Sequence, residues 1–212
     1  MSLLTVKHND MKKMMTILAI AVTSLGFSQE KVGEYTVEFL KGKTFDISAT
    51  EPKSSGKFTY YIDVFSRDNS VKSISLSIEN NELDSFKKQL NAAKAKFVQW
   101  SNTAIANNVT ELDKEMKDIK FKSSAAFLYG SKWKFCFSVR YKFRAKIIDG
   151  KMHLIITNKE EMVASSNQFM DCKGFALIFS SSDEIDAFMN QLDESKVIAH
   201  FSKKGNTEDL FQ

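Results

Sequence analysis

The feature that most constrains the fold is a run of faultless alternation over residues 133–146. Trp133, Phe135, Phe137, Val139, Tyr141, Phe143 and Ala145 fall on one side of an extended chain. Lys134, Cys136, Ser138, Arg140, Lys142, Arg144 and Lys146 fall on the other. Period two over fourteen residues is the signature of a β-strand, and a long one against the usual five or six. The dipeptide Asp149-Gly150 follows, flanked by a second alternating run, and marks a two-residue type I′ hairpin. That turn places Ile148 opposite Lys151, Lys146 opposite His153, Arg144 opposite Ile155 and Lys142 opposite Thr157. The chain therefore builds antiparallel sheet with an apolar face expected in the core and a basic face expected outside.

Two pairs of segments match within the 212 residues. The stretch 39–47 matches 127–135 with Phe, Leu and Gly in common, and 83–90 matches 185–192 with Asp, Phe, Gln and Leu in common. The order of elements agrees between the copies. In the first, strands are expected at 35–40, 44–49, 58–65 and 72–78, then a helix with Asn81 as N-cap and Asp84 beyond it. In the second, strands are expected at 125–129, 132–148, 151–163 and 175–179, then a helix opened by a Ser181/Glu184 capping box. The second copy carries about 14 extra residues between its anchors, in the spirit of an insertion into a repeat. Strand runs each followed by a helix indicate an α+β fold of two similar antiparallel ββββα units, with helices packed on the sheets. Such duplication resembles the architecture of TATA-binding-protein-like folds, and no DNA-binding motif accompanies it.

The boundaries expected are a repeat at 33–108, a linker at 109–122, a repeat at 123–194 and a C-terminal strand and tail at 195–212, all in one domain. Leu83, Phe86, Leu90, Ala93, Phe97, Trp100 and Ala104 form a helical stripe suited to covering a sheet. Thr110 with Asp113 suggests a cap for a second short helix, and 196–202 suggests an edge strand. Matched Asp84 and Asp186 suggest N-terminal capping. Trp100 and Trp133 both lie on apolar stripes and are expected in the core.

Residues 11–28 follow the three-part plan of a secretory signal peptide: Lys12 and Lys13, an apolar run at 14–25, then small residues at 26 and 28. Residues 1–10 precede the more natural start at Met11. The run is shorter than the roughly 20 residues that span a bilayer. The stretch 25–30 resembles leaders of exported proteins from Bacteroidota-type bacteria. That resemblance implies a periplasmic or extracellular chain, with no transmembrane segment after cleavage, and implies nothing about activity.

Composition narrows the chemistry. Formal charge is +4, but removing Lys7, Lys12, Lys13 and Asp10 from 30 basic and 26 acidic residues leaves 27 and 25, a net of +2. That balance gives no overall pull toward nucleic acid. No phosphate loop, dinucleotide fingerprint, metalloprotease or nucleophile-elbow motif is present, and neither cofactor nor metal is called for. Cys136 and Cys172 can stay as thiols or, in an exported chain, form a disulfide. The hairpin register extended past the turn puts Cys136 opposite Val163, about 30 Å along the strand from His153, which disfavours a Cys–His dyad.

The residues that point to function are therefore Lys134, Arg140, Lys142, Arg144 and Lys146. Cations spaced about 7 Å apart along a strand suit an anionic surface, an acidic glycan or a partner envelope protein. Glu160 and Glu161 lie near enough to offset some of that charge. The reading that follows is a non-enzymatic binding or interaction module. Its alternatives are a hydrolase built on two convergent carboxylates of raised pKa, or a structural homo-oligomer.

Overall fold

Alternation at the strand period recurs through most of the chain, and the computed structural model, which describes residues 29–209, answers it with antiparallel sheet. The first run is β1 (Gln29–Val37), a 3-10 turn (Glu38–Leu40), β2 (Lys43–Thr50), β3 (Thr59–Ser66), β4 (Ile74–Glu79) and helix α1 (Asn80–Ala106). A short β5 (Asp113–Glu115) leads to β6 (Lys122–Tyr129), β7 (Lys132–Ile148), β8 (Lys151–Asn158), β9 (Met162–Ala164), β10 (Asn167–Cys172) and β11 (Phe175–Phe179). Helices α2 (Ser182–Gln191) and α3 (Glu194–Asp209) close the described chain. The leader expected at 1–28 lies outside the described residues.

The fold is α+β: one large antiparallel sheet with helices laid against it. Its strand order is β1-β2-β3-β11-β8-β7-β6-β4, and β3 also pairs with β4. Strands β3, β4, β6, β7, β8 and β11 therefore form a closed ring of hydrogen-bonded neighbours, which leaves those strands few free edges. The four-strand runs β1–β4 and β6, β7, β8, β11 are each followed by a helix. They are joined at two seams, β4 with β6 and β3 with β11. The extra length of the second run is the β9–β10 hairpin, which pairs only with itself in the sheet ladders.

One face of every ring strand points to a shared core. Ile62, Leu76, Phe127, Phe143, Leu154, Ile156, Phe175 and Phe179 are all fully or almost fully buried. Helix α1 brings the stripe Leu83, Phe86, Leu90, Ala93 and Phe97 to that face as the 3–4 spacing requires. Trp100, the next residue in the stripe, is only part-buried, with the Lys114 ammonium 4.5 Å from its ring centre. Phe86 meets Phe188 of α2 edge-on, ring centres 6.4 Å apart.

Several local expectations need correction. The helix expected to open at Asn81 begins two residues earlier: Glu79 is the N-cap of α1, in a reciprocal box with Glu82, and Asn81 lies inside the first turn. The Asn80 side chain is occupied elsewhere, accepting from Phe58 N–H and donating to Gly56 carbonyl. Ser181 does cap α2, its hydroxyl accepting from Glu184 N–H at 3.2 Å. Asp186, however, caps nothing; both its oxygens accept from Lys94 Nζ, at 2.6 and 2.8 Å, tying α2 to α1. Where a short helix was expected after Thr110, Asp113–Glu115 form β5 against β7. The stretch 196–202 lies within α3 in place of a strand, since Val197 and Phe201, one helical turn apart, both turn inward.

Candidate functional site: a basic concavity beside a bulged strand

Strand β7 keeps its length but not its faces. From Asp149-Gly150 back to Tyr141 the register is the one the turn dictates, with Ile148 opposite Lys151, Lys146 opposite His153, Arg144 opposite Ile155 and Lys142 opposite Thr157. Upstream, Ser138 adopts φ +56° and the pairing with β6 slips: Ser123 faces Val139, while Ala125 faces Cys136. Two steps on β6 span three on β7, so one extra residue is accommodated as a bulge. A one-residue slip exchanges the two faces of a strand. Beyond the bulge Val139, Tyr141, Phe143 and Ala145 are buried, as expected. Before it the pattern inverts. Cys136 is 2% exposed, whereas Trp133, Phe135 and Phe137 are 44, 48 and 69% exposed. The sequence-based placement of these three aromatics, Trp133 included, in the core is overturned.

The same inversion separates the five cations. Lys134 shares its side of β7 with buried Cys136, and is half-buried opposite Phe127. It does not belong to the row of Arg140, Lys142, Arg144 and Lys146, which stays together on the face away from the helices. That row is partly neutralised. Arg140 makes a two-pronged pair with Glu160, Nη2–Oε1 2.8 Å and Nε–Oε2 3.1 Å. Glu115 lies 3.3 Å from Lys142 Nζ, and Asp113 bridges Arg144 at 2.7 Å and Lys146 at 3.4 Å. Glu160 was legible as a counter-charge. Asp113 and Glu115 were not, because a three-residue strand shows only one repeat of period two.

Beside this row the surface forms a cavity of about 360 Å³, lined by Arg67, Lys142, Arg144, Lys146 and Lys159, with Ile148, Ile155 and Ala176 as an apolar floor. Arg67 reaches it because its N–H donates to Gly174 carbonyl at 2.8 Å, stitching the end of β3 to the start of β11. Asn158 organises this corner. Its carbonyl oxygen accepts from Phe175 N–H, and its amide donates to the carbonyls of Glu160 and Lys173. Gly174, at φ +103°, packs so close that a Cβ there would lie 1.8–2.1 Å from the Asn158 amide, so only glycine fits. Two carboxylates stand against five cations here. Arg144 has one further property: its Nε–H is enclosed and has no hydrogen-bond partner. An enclosed donor left unpaired costs free energy, and a shift of the side chain that turned it into the cavity would let an acceptor there recover that cost.

Cys136 and Cys172 are both buried and both free thiols. Burial pushes the Cys136 thiol up to about 12 and raises that of Cys172 as well. A thiol held protonated is a poor nucleophile. The long-strand register that set Cys136 opposite Val163 is not kept as a ladder: β8 ends at Asn158, and the chain beyond it still runs beside β7 but reaches Phe135 carbonyl with Ser165 N–H, one residue out of step. His153 is buried against Phe39, its Nδ1 3.1 Å from Ser180 Oγ, and burial lowers its pKa. In the cavity holding Asp46, Asp63 and Asp68, burial raises Asp63 while hydrogen bonds from Lys173 and Ser70 lower Asp68 to about 2.

Among the described residues no three His, Cys, Asp or Glu side chains gather as a metal site, and no helix is long and apolar enough to cross a membrane. Comparison with family models, with curated proteins and with solved structures finds no match, so the site rests on its own geometry.

Proposed function

We propose that the chain is an exported bacterial envelope protein that works by binding: a non-enzymatic module taking an acidic saccharide in the basic concavity. One observation carries this reading. Arg144 is held in place by Asp113 yet keeps an enclosed, unpaired Nε–H beside a cavity with three more cations than carboxylates. A sulfate or carboxylate would complete that guanidinium in the charge-assisted, planar manner that arginine favours. The volume of about 360 Å³ suits a single sugar unit, and the floor of Ile148, Ile155 and Ala176 suits the C–H face of a ring. Export follows from the leader at 11–28.

We also read the two ββββα runs as copies of one ancestral unit, the feature they share with TATA-binding-protein-like folds. The matched segments support this. The 39–47 and 127–135 segments occupy the first hairpin of their runs, and Phe86 and Phe188 hold matching places on α1 and α2 and touch.

Calorimetric titration of the full chain tests the binding reading, using a sulfated disaccharide, its unsulfated parent and inorganic sulfate. The expected result is saturable binding of the sulfated sugar that weakens with salt and falls about tenfold in Arg144→Gln, a loss of roughly 1.4 kcal/mol. Equal binding of the unsulfated sugar, or an unchanged affinity in Arg144→Gln, would refute it. Equal binding of bare sulfate would reduce the site to a simple anion site and remove the sugar.

A further inference from the structure

A second basic hollow adjoins the concavity. We infer that the ligand is an acidic polysaccharide bound along its chain, with charged units of successive repeats in the two hollows. This rests on the saccharide reading of the concavity and names the length of ligand that the site takes.

The β5–β6 connection makes the second hollow. Glu115 at the end of β5 pairs with Arg144, and Lys122 at the start of β6 pairs with Arg140, so both strands lie along the same edge of β7. Between them the residues 116–121 follow a length that β7 covers with Tyr141, Lys142 and Phe143. Met116 N–H donates to Phe143 carbonyl, and Tyr141 N–H donates to Phe121 carbonyl. The surplus chain turns where Ile119 N–H returns to Met116 carbonyl. Beside it is a cavity of about 430 Å³, lined by Glu115 and by Lys117, Lys120, Lys122, Arg140 and Lys159, with Ile119, Phe121 and Tyr141 as its apolar part.

The two hollows are joined. Lys159 lines both. Its N–H donates to Arg140 carbonyl at 2.8 Å, one position past the pair of Tyr141 and Asn158. Lys122, Arg140 and Lys159 therefore form a row across β6, β7 and the end of β8. That row meets the column of Lys142, Arg144 and Lys146 at Arg140. Arg140 lines the second hollow and Arg144 the first. They stand four residues apart on one strand, about 13 Å, so a charged ring seated at one does not reach the other.

Charge selects a polyanion. The carboxylates beside the two hollows are engaged: Asp113 by Arg144 and Lys146, Glu115 by Lys142, Glu160 by Arg140 and Asp118 by Lys96. Lys117, Lys120, Lys122 and Lys159 make no ion pair among the described residues. Glu161, next to Glu160 in the chain, offsets only one of them. An anion repeated along a chain supplies the counter-charges that these spaced ammoniums lack. Single-stranded nucleic acid is also an extended polyanion, but it binds by stacking its bases on exposed aromatic rings. Here Tyr141 is buried, Phe121 is half-buried, and no other aromatic residue lines either hollow.

Calorimetric titration of the full chain with a chondroitin sulfate disaccharide and with the hexasaccharide of the same repeat tests this. The hexasaccharide should bind about thirtyfold tighter, against about threefold from its equivalent placements alone, because the second hollow is filled by a chain already held in the first. Lys120→Gln combined with Lys122→Gln should reduce that ratio to about threefold and leave disaccharide affinity within about twofold. Arg144→Gln should weaken both oligosaccharides alike and preserve the ratio. A ratio near threefold in the unaltered chain, or one that the lysine variant leaves unchanged, would overturn the inference while the concavity stands. A disaccharide indifferent to Arg144→Gln, or binding of neither oligosaccharide, would instead refute the concavity reading and take the inference with it. Equally tight binding of a single-stranded DNA of the hexasaccharide's charge would also overturn the inference, because the track would then read charge alone.

Discussion

The two halves of β7 obey the same alternation and do opposite things with it. From Tyr141 onward the aromatic residues are core and the cations are outside. Before Ser138 the aromatic residues are outside and Cys136 is core. Period two shows only that two faces differ. Which face is inside is set by packing on both sides of the strand, and a single added residue reverses it. One strand thereby presents two unlike surfaces to solvent, a basic row and an aromatic one, without losing its place in the ring.

Phenylalanines taken from the two halves sharpen the contrast most. Phe143→Ala should cost about 3–5 kcal/mol, because the ring is fully enclosed. Phe137→Ala should stay within about 0.5 kcal/mol, because the ring is mostly in water. Chemical denaturation of the two variants checks this, and equal losses would erase the distinction between the halves.

The bulge itself is the next target. Ser138→Val should cost about 1–3 kcal/mol, since a β-branched residue fits poorly at positive φ, while Ser138→Gly should be neutral or slightly stabilising. If valine were tolerated as well as glycine, the left-handed geometry at 138 would be wrong, and with it the outward aromatics.

In the other half, Asp113→Asn frees Arg144 and Lys146 from their shared counter-charge. Stability should fall by no more than about 1 kcal/mol, as for other partly exposed pairs, whereas affinity for the sulfated sugar should rise several-fold. A fall in affinity would mean that Asp113 serves to position Arg144 more than to compete with the ligand.

The smallest effect concerns acid. Asp68 is lowered to about 2 by hydrogen bonds from Lys173 and Ser70, so its contribution is complete above its unfolded value near 4 and is lost as pH falls from there through about 2. Asp68→Asn should flatten stability in that window alone, and an unchanged profile would show that the link between the β3–β4 turn and β10 is not made in solution.

Much of this was legible in the sequence and some was not, for physical reasons. Asp149-Gly150 dictated the β7–β8 register because a two-residue turn leaves no freedom in pairing. The stripe on α1 and the Ser181 cap followed from periodicity and hydrogen-bonding chemistry. The four strands and a helix of each run were visible in outline, but the strand expected over 151–163 breaks at Asn158, and the β9–β10 hairpin that follows was not foreseen. The bulge was not, because serine at positive φ carries no signature that glycine or asparagine would have given. Nor was β5, whose Asp113 and Glu115 decide how much of the basic row remains to bind a ligand. The α3 error was avoidable: Val197 and Phe201 stand one helical turn apart and were a sign of a helix, not of a strand. Of the five cations read as one site, four share a face, Arg140 is tied to Glu160, and Lys134 belongs to the other side of the strand. Arg67 and Lys159 were missed because only the tertiary seam at Gly174 and Asn158 brings them there.

The account turns on Arg144, and the most direct measurement is the ¹H–¹⁵N signal of its Nε–H during titration with the sulfated disaccharide. The account predicts a saturable shift of that signal, with slowed exchange with water, at the concentration where calorimetry sees binding. A signal that stays still while the sugar binds, or while other arginines move, would contradict it.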